Sequence, residues 1–294
     1  MPITELRIAG VRTVGELRLR VEGLTVLIGD NGSGKSTILE CCELLRRATG
    51  EHFLDELHAI HGGRALLRQG SEEIRLGVTL AVSKGEAAGI KERASKFLLG
   101  SQLDYDLTLS FAASFASIKT EVLTVRPARR WKVPGPVQLL KRGARGTLTI
   151  TNWARNEKFR LMPNIPVGLT VLAQRGGYEY SGDADGVALK LLANSLGAIR
   201  VHAPFEVTSA WVARATDRRS ALRTPALLTP ASQLDRLGTN LASAFHALKN
   251  GKSPRTWQEA LSYVRLGLGE RVEDIVTWAD PGGGNIGLSL KLRG

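Results

Sequence analysis

Hydrophobic and polar positions change period several times along the chain. Leu17, Leu19 and Val21 alternate with Arg18 and Arg20, the period of two of a half-buried strand. Residues 24–28, Leu-Thr-Val-Leu-Ile, form a short apolar run. Such a run predicts a strand buried on both faces. It ends at Gly29. From Lys35 onward the period lengthens, and Ile38, Leu39, Cys42, Leu45 and Ala48 share one helical face. The predicted order is strand, glycine turn, helix.

Residues 51–70 read as helix and loop. Ile74, Leu76, Val78, Leu80 and Val82 then alternate cleanly, as do Leu103, Tyr105, Leu107, Leu109 and Phe111. Residues 120–125 and 147–151 are further strand candidates, and together these predict an antiparallel meander with one polar face. Three prolines, Pro127, Pro134 and Pro136, mark the stretch between them as a loop or arm. Helical patterns return at 184–198, 231–249 and 256–266, and short strands from Val272 to Leu292. The expected division is a β-rich lobe at 1–175 that carries the glycine turn, a helical lobe at 176–270, and a β segment at 271–294 that returns toward the first lobe.

The chain has 294 residues, 43% of them hydrophobic and 23% charged. That is the balance of a globular protein and excludes a disordered chain, a collagen or a coiled-coil rod. No apolar run approaches the ~20 residues of a membrane span. The first ten residues lack the basic and apolar regions of a signal peptide. Cys41 and Cys42 are adjacent and are the only two cysteines. Neighbours rarely meet disulfide geometry, so a reducing cytoplasm is expected. Charge changes the picture more. Between Lys119 and Arg160 lie eleven Lys and Arg but only two acids, Glu121 and Glu157, so nine of the twelve net positive charges fall in this stretch. A concentrated basic region attracts polyanions. Arg126, Arg129, Arg130, Lys132, Lys141, Arg142 and Arg145 are the candidate DNA-phosphate contacts; a solvated face without a partner is the alternative. Trp131 and Trp153 lie in the same stretch, where packing is a commoner use than base stacking. His58 and His61 are three apart, but two histidines are weak evidence for a metal.

Residues 29–36 read Gly29-Asp-Asn-Gly32-Ser-Gly34-Lys35-Ser36. This is the G-x-x-x-x-G-K-[ST] phosphate-binding loop, in its required context of apolar strand before and amphipathic helix after. Glycines let the backbone curl so that several N–H groups converge on one phosphate. The helix N-terminus adds partial positive charge. Gly29, Asn31, Gly32, Ser33, Gly34, Lys35, Ser36 and Thr37 are the candidate nucleotide-binding residues. Lys35 would reach the β- and γ-phosphates, Ser36 would hold Mg²⁺, and Thr37 would lie near the α-phosphate.

Residues 24–40 resemble the ATP-binding cassette ATPases that act on DNA, the RecF/SMC/OLD-like group. The stretches Ile199-Arg-Val-His-Ala-Pro-Phe and Leu237-Gly-Thr-Asn-Leu-Ala resemble the helical lobe of RecF-like ATPases. The resemblance implies an α/β P-loop NTPase head, with an antiparallel β subdomain and a helical lobe, using ATP and Mg²⁺. It also implies a Q-loop glutamine on Mg²⁺, for which Gln174 is the candidate, and an arginine on the nucleotide, for which Arg12 is the best match and Arg7 the second.

The pattern departs from that group in one respect. No serine-glycine signature motif is found; Ser181-Gly182-Asp183 reads as a turn. The nearest Walker B candidate, Ile275-Val-Thr-Trp-Ala-Asp280, has Thr277 inside it and no glutamate after Asp280. The chain therefore resembles the N-terminal half of such an ATPase, lacking the C-terminal Walker B half. Phosphoryl transfer needs the phosphate positioned, Mg²⁺ held and water oriented. The expectation is ATP binding with poor hydrolysis, self-association or pairing with a complementing ATPase half, contact with DNA, and no membrane. A non-hydrolysing nucleotide-binding switch, a transporter-type ABC subunit and another P-loop family remain the alternatives.

Overall fold

The computed structural model describes residues 2–83, 98–113, 115–128, 135–143, 147–152, 157–161, 166, 168–174, 184–202, 226–231, 233–235, 238–251, 253–279, 282 and 284–293. They fall into two compact units, residues 1–199 and 200–294.

The first unit is built on an eight-stranded sheet. Its strands are β1 (Ile3–Val11), β2 (Val14–Arg20), β3 (Glu73–Ala81), β4 (Gln102–Ala112), β5 (Phe115–Arg126), β6 (Val137–Arg142), β7 (Leu148–Asn152) and β8 (Glu157–Leu161). The order across the sheet is β2-β1-β3-β4-β5-β6-β7-β8, and every pairing is antiparallel. The expected meander is present. β6 and β8 escaped the sequence reading because they are short and interrupted by lysine or arginine.

One face of this sheet packs on helices α1 (Lys35–Arg47), α2 (Phe53–His61) and α3 (Ala184–Gly197). Leu6, Ile8, Leu76, Val78, Leu103, Tyr105, Leu107, Leu123, Leu44, Leu45, Leu57 and Leu192 form one buried cluster. Alternation along the strands therefore decides which side chains enter the core. α3 buries Leu189, Leu192 and Leu196 in this cluster, and the first unit runs to residue 199. The opposite face of the sheet is polar. On it Arg7, Arg18 and Arg126 meet Glu5, Asp104 and Asp106.

One expected element is absent. Residues 24–28 form no strand, and Leu24 and Ile28 are 92% and 93% exposed. An apolar strand of this kind needs sheet neighbours on both edges and layers on both faces. None of the described strands pairs with it.

The second unit pairs β9 (Ala226–Leu227), β11 (Asn285–Leu292) and β10 (Val272–Ala279) in a three-stranded antiparallel sheet, packed with α4 (Leu241–Lys249) and α5 (Pro254–Leu268). Ser253 caps α5, accepting from the Thr256 N–H, and Pro254 takes the first helical position. Trp257, Leu261, Val272 and Ile275 are its core. The expected β segment at 271–294 supplies β10 and β11 of this sheet. Asp280, the end of the weak Walker B candidate, and Ser181–Asp183 lie outside the described residues. No described helix is long and apolar enough to cross a membrane.

Candidate functional site

The phosphate loop joins the exposed segment 24–28 to α1. Gly32 (φ 81°) and Gly34 (φ 100°) both adopt the left-handed backbone, which costs any residue with a Cβ. Gly34 has a second constraint. A Cβ there would lie 2.9 Å from Val14 Cγ2 and 3.3 Å from Thr13 Oγ1. The β1–β2 turn therefore packs directly on the loop where α1 begins.

Gly34 is also the N-cap of α1, with no side chain capping the helix and no acid in its first turn. The first N–H groups of a helix have no intrahelical acceptor. Here neither side-chain oxygens nor carboxylates compete for them, so the terminus suits an anion. Ser36 is exposed at the helix start, whereas Thr37 is buried. The Lys35 ammonium folds back over the loop, donating to the carbonyls of Gly29 and Asp30 (2.7 Å to the latter) and lying 3.4 Å from Ser33 Oγ. Gly29, Asn31, Gly32 and Ser33 are all exposed around it. An uncapped, acid-free helix start and a nearby ammonium fit a phosphate. For Mg²⁺ the loop offers the Ser36 hydroxyl. Among the described residues no group of three or more His, Cys, Asp or Glu could hold a metal ion.

Arg12 lies at the turn beside Gly34, but its guanidinium is paired. Nε donates to Glu40 Oε2 at 2.7 Å and Nη2 to Glu40 Oε1 at 2.9 Å. Glu40 also accepts from His61 Nδ1 at 2.9 Å. Burial would raise the Glu40 pKa, but the bonds from Arg12 and His61 outweigh it and hold the carboxyl below its usual range. His58 is engaged elsewhere, its Nε2 accepting from the Ala116 N–H. Arg7, the second arginine candidate, is occupied on the polar sheet face by Glu5, Thr79 and Asp106.

Gln174 follows a turn at 171–173. That turn is anchored at the end of α1 away from the phosphate loop. The Thr170 hydroxyl donates to the Ala48 carbonyl, and thirteen helical residues separate the two ends of α1 by about 18 Å at 1.5 Å per residue. The turn is held by a buried polar cluster. Val171 N–H donates to Glu121 Oε2 at 2.8 Å, and Tyr105 OH donates to Glu121 Oε1 at 2.9 Å. Arg142 donates to the carbonyls of Leu169 and Pro166 and lies 3.8 Å from Glu121.

This cluster corrects one expectation. Arg142 was a candidate DNA contact, yet its side chain is only 1% exposed. Its charge faces the core because β6 places it opposite Glu121 of β5. Arg126 is tied to Asp104 at 2.6 Å, and Lys119 to Glu73 at 2.6 Å. Acids on β3 and β4 thus neutralise part of the basic stretch. Lys141 is exposed. Arg129, Arg130, Lys132 and Arg145 lie outside the described residues, as do Trp131 and Trp153. In the second unit, an apolar cleft of 710 Å³ is lined by Leu234, Leu241, Phe245 and Leu248, with no charged lining residue among the described residues.

Residues 5–46 match the model of a family described as an AAA domain. The match spans most of β1, all of β2, the phosphate loop and most of α1, and is in keeping with the resemblance carried by residues 24–40. A solved structure described as "Structural biochemistry of ATP-driven dimerization and DNA stimulated activation of SMC ATPases" aligns with 44% of this chain and 74% of that chain, at 18% identity and a TM-score of 0.30. No curated protein matches the chain.

Proposed function

We propose that the chain is the nucleotide-binding portion of an SMC/RecF-type ATPase that works with DNA, in repair or in defence against foreign DNA, in the cytoplasm. The observation that carries this reading is the phosphate loop. Its two left-handed glycines and its uncapped, acid-free helix start are what a triphosphate requires. In this reading the loop amides and Lys35 hold the phosphates, and the Ser36 hydroxyl holds Mg²⁺. When bound, Mg²⁺ would neutralise charge on the phosphate oxygens. Arg12 adds a cation from the adjoining turn. By the family resemblance, Gln174 is the glutamine proposed to serve Mg²⁺.

The exposed segment 24–28 favours a particular version of this function. Three large apolar side chains, Leu24, Val26 and Ile28, face solvent on the segment that leads into the loop. Such a segment seeks a partner strand. The chain therefore binds ATP, turns it over slowly, and reaches full activity by associating with itself or with a complementing ATPase half. DNA contact rests on the basic excess of residues 119–160, with Lys141 its remaining described candidate.

The experiment is ATP binding and turnover by the purified chain, with Lys35→Ala as control, with and without duplex DNA across a salt series. Lys35-dependent binding with little turnover, and duplex binding that weakens with salt, are the expected results. Binding unaffected by Lys35→Ala would overturn the nucleotide site. Salt-independent or absent duplex binding would overturn the DNA role. Rapid Lys35-dependent turnover would show that the chain completes its own catalytic site.

A further inference from the structure

The nucleotide-site arginine is pinned by two residues outside the loop. Arg12 sits in the left-handed backbone at φ 47°, and its N–H donates to the Leu66 carbonyl at 2.7 Å. A non-glycine residue in this conformation is held there by its surroundings. Its neighbours Thr13 and Val14 lie against Gly34. The guanidinium uses one edge, Nε and Nη2, for Glu40. Nη1 makes no hydrogen bond among the described residues. Glu40 stands one helical turn beyond Ser36, and its other partner, His61, is 3% exposed, with Nε2 buried and unpartnered among the described residues.

We infer that Glu40 and His61 are positioning residues: His61 fixes Glu40, and Glu40 holds one edge of the Arg12 guanidinium so that the other edge is offered to the nucleotide phosphates. This rests on the reading of the phosphate loop as a nucleotide site and deepens it. Two physical effects follow. A bidentate clamp orders a long side chain before the ligand arrives, so less freedom is lost on binding. A carboxylate one turn from a triphosphate would repel it, so Arg12 also neutralises Glu40.

The second effect gives a test that a merely structural role would not pass. A fluorescent ATP analogue is titrated into the purified chain and its variants, with melting temperature measured in parallel. Glu40→Gln weakens binding because Arg12 loses its clamp, by about tenfold for one charge-assisted pair. Arg12→Ala weakens it at least as much, because Glu40 is left uncompensated. In the Arg12→Ala background, however, Glu40→Gln restores binding in part. His61→Ala weakens binding, and His61→Asn, whose amide can donate in place of Nδ1, recovers it. Equal losses from Glu40→Gln in both backgrounds, or no loss from it, would overturn the inference. If Glu40→Gln does not fold, His61→Ala against His61→Asn decides, and equal affinities for the two would overturn it. Loss of binding in Lys35→Ala keeps the underlying site reading intact throughout; retention in Lys35→Ala refutes that reading instead.

Discussion

Arg7 reaches Asp106 by crossing over Gly77. Arg7 on β1 and Asp106 on β4 are separated by β3, and the register places Gly77 opposite both. Arg7 Nε and Nη2 lie 3.2 and 3.1 Å from Asp106 Oδ1. A Cβ on Gly77 would sit 2.3 Å from that oxygen and 2.8 Å from Arg7 Nε. Glycine is placed in the strand because another side chain passes over it. Gly77→Ala is expected to break this pair. Asp106 is half-exposed, so the cost is about 1 kcal/mol or less, and Gly77→Val should cost more. In an Asp106→Ala background the penalty of Gly77→Ala should shrink. Denaturant midpoints of the four proteins check this; an unchanged penalty would place the strain elsewhere.

Arg142→Met removes one partner of a buried pair. Glu121 is left buried, and breaking such a pair typically costs about 3–5 kcal/mol. Val171 and Tyr105 still donate to Glu121, which places the expected loss at the lower end. A DNA-contact residue would behave oppositely, with stability kept and duplex affinity lost. Thermal melts and duplex binding on the same variant separate the two.

Glu121 and the ion-paired carboxylates Glu5 and Glu73 respond to pH with opposite signs. Burial pushes the Glu121 pKa above its ordinary 4.5 despite the bonds from Val171 and Tyr105. In the folded state it therefore holds its proton to higher pH than in the unfolded chain. Its contribution to stability is full below 4.5 and is lost as pH rises through the folded value. For Glu5, burial is outweighed by Arg18 and Arg7, and the pKa is lowered. For Glu73, Lys119 and Arg75 lower it. Their contribution is present above 4.5 and is lost as pH falls through the lowered values. Melting temperature against pH should thus decline at both ends. Glu121→Gln should flatten the decline on the rising-pH side alone. An unaltered slope there would mean that Glu121 is ionised throughout.

Leu24→Ser with Ile28→Ser should leave the fold's stability within about 0.5 kcal/mol, as for other exposed positions. Concentration-dependent association, followed by sedimentation velocity, should fall. A large loss of stability without a change in association would mean that segment 24–28 is buried in the monomer.

The P-loop, its helix and the strands of the meander were legible because each is written in a local period. Leu103 to Phe111 alternate whatever surrounds them, and Gly29 to Ser36 specify a curl of backbone through their own φ preferences. By the same local logic, residues 24–28 read as a buried strand. Their burial depends on neighbouring strands that no local pattern contains, and in the structure they are exposed.

What the sequence determined by itself was the order of the elements and the chemistry of one loop, since both follow from residues a few positions apart. Tertiary structure decided which charges are free to act. Arg142 and Arg126 look alike in the sequence, but the register of β6 on β5 buries one beside Glu121, while Asp104 of the adjoining β4 pairs with the other at the surface. Arg12 and Glu40 are 28 residues apart and His61 a further 21. Only the packing of the β1–β2 turn and α2 against α1 turns them into one clamp. Periodicity sets which face a side chain takes; the partner it meets there is set by strand register and helix packing between distant segments.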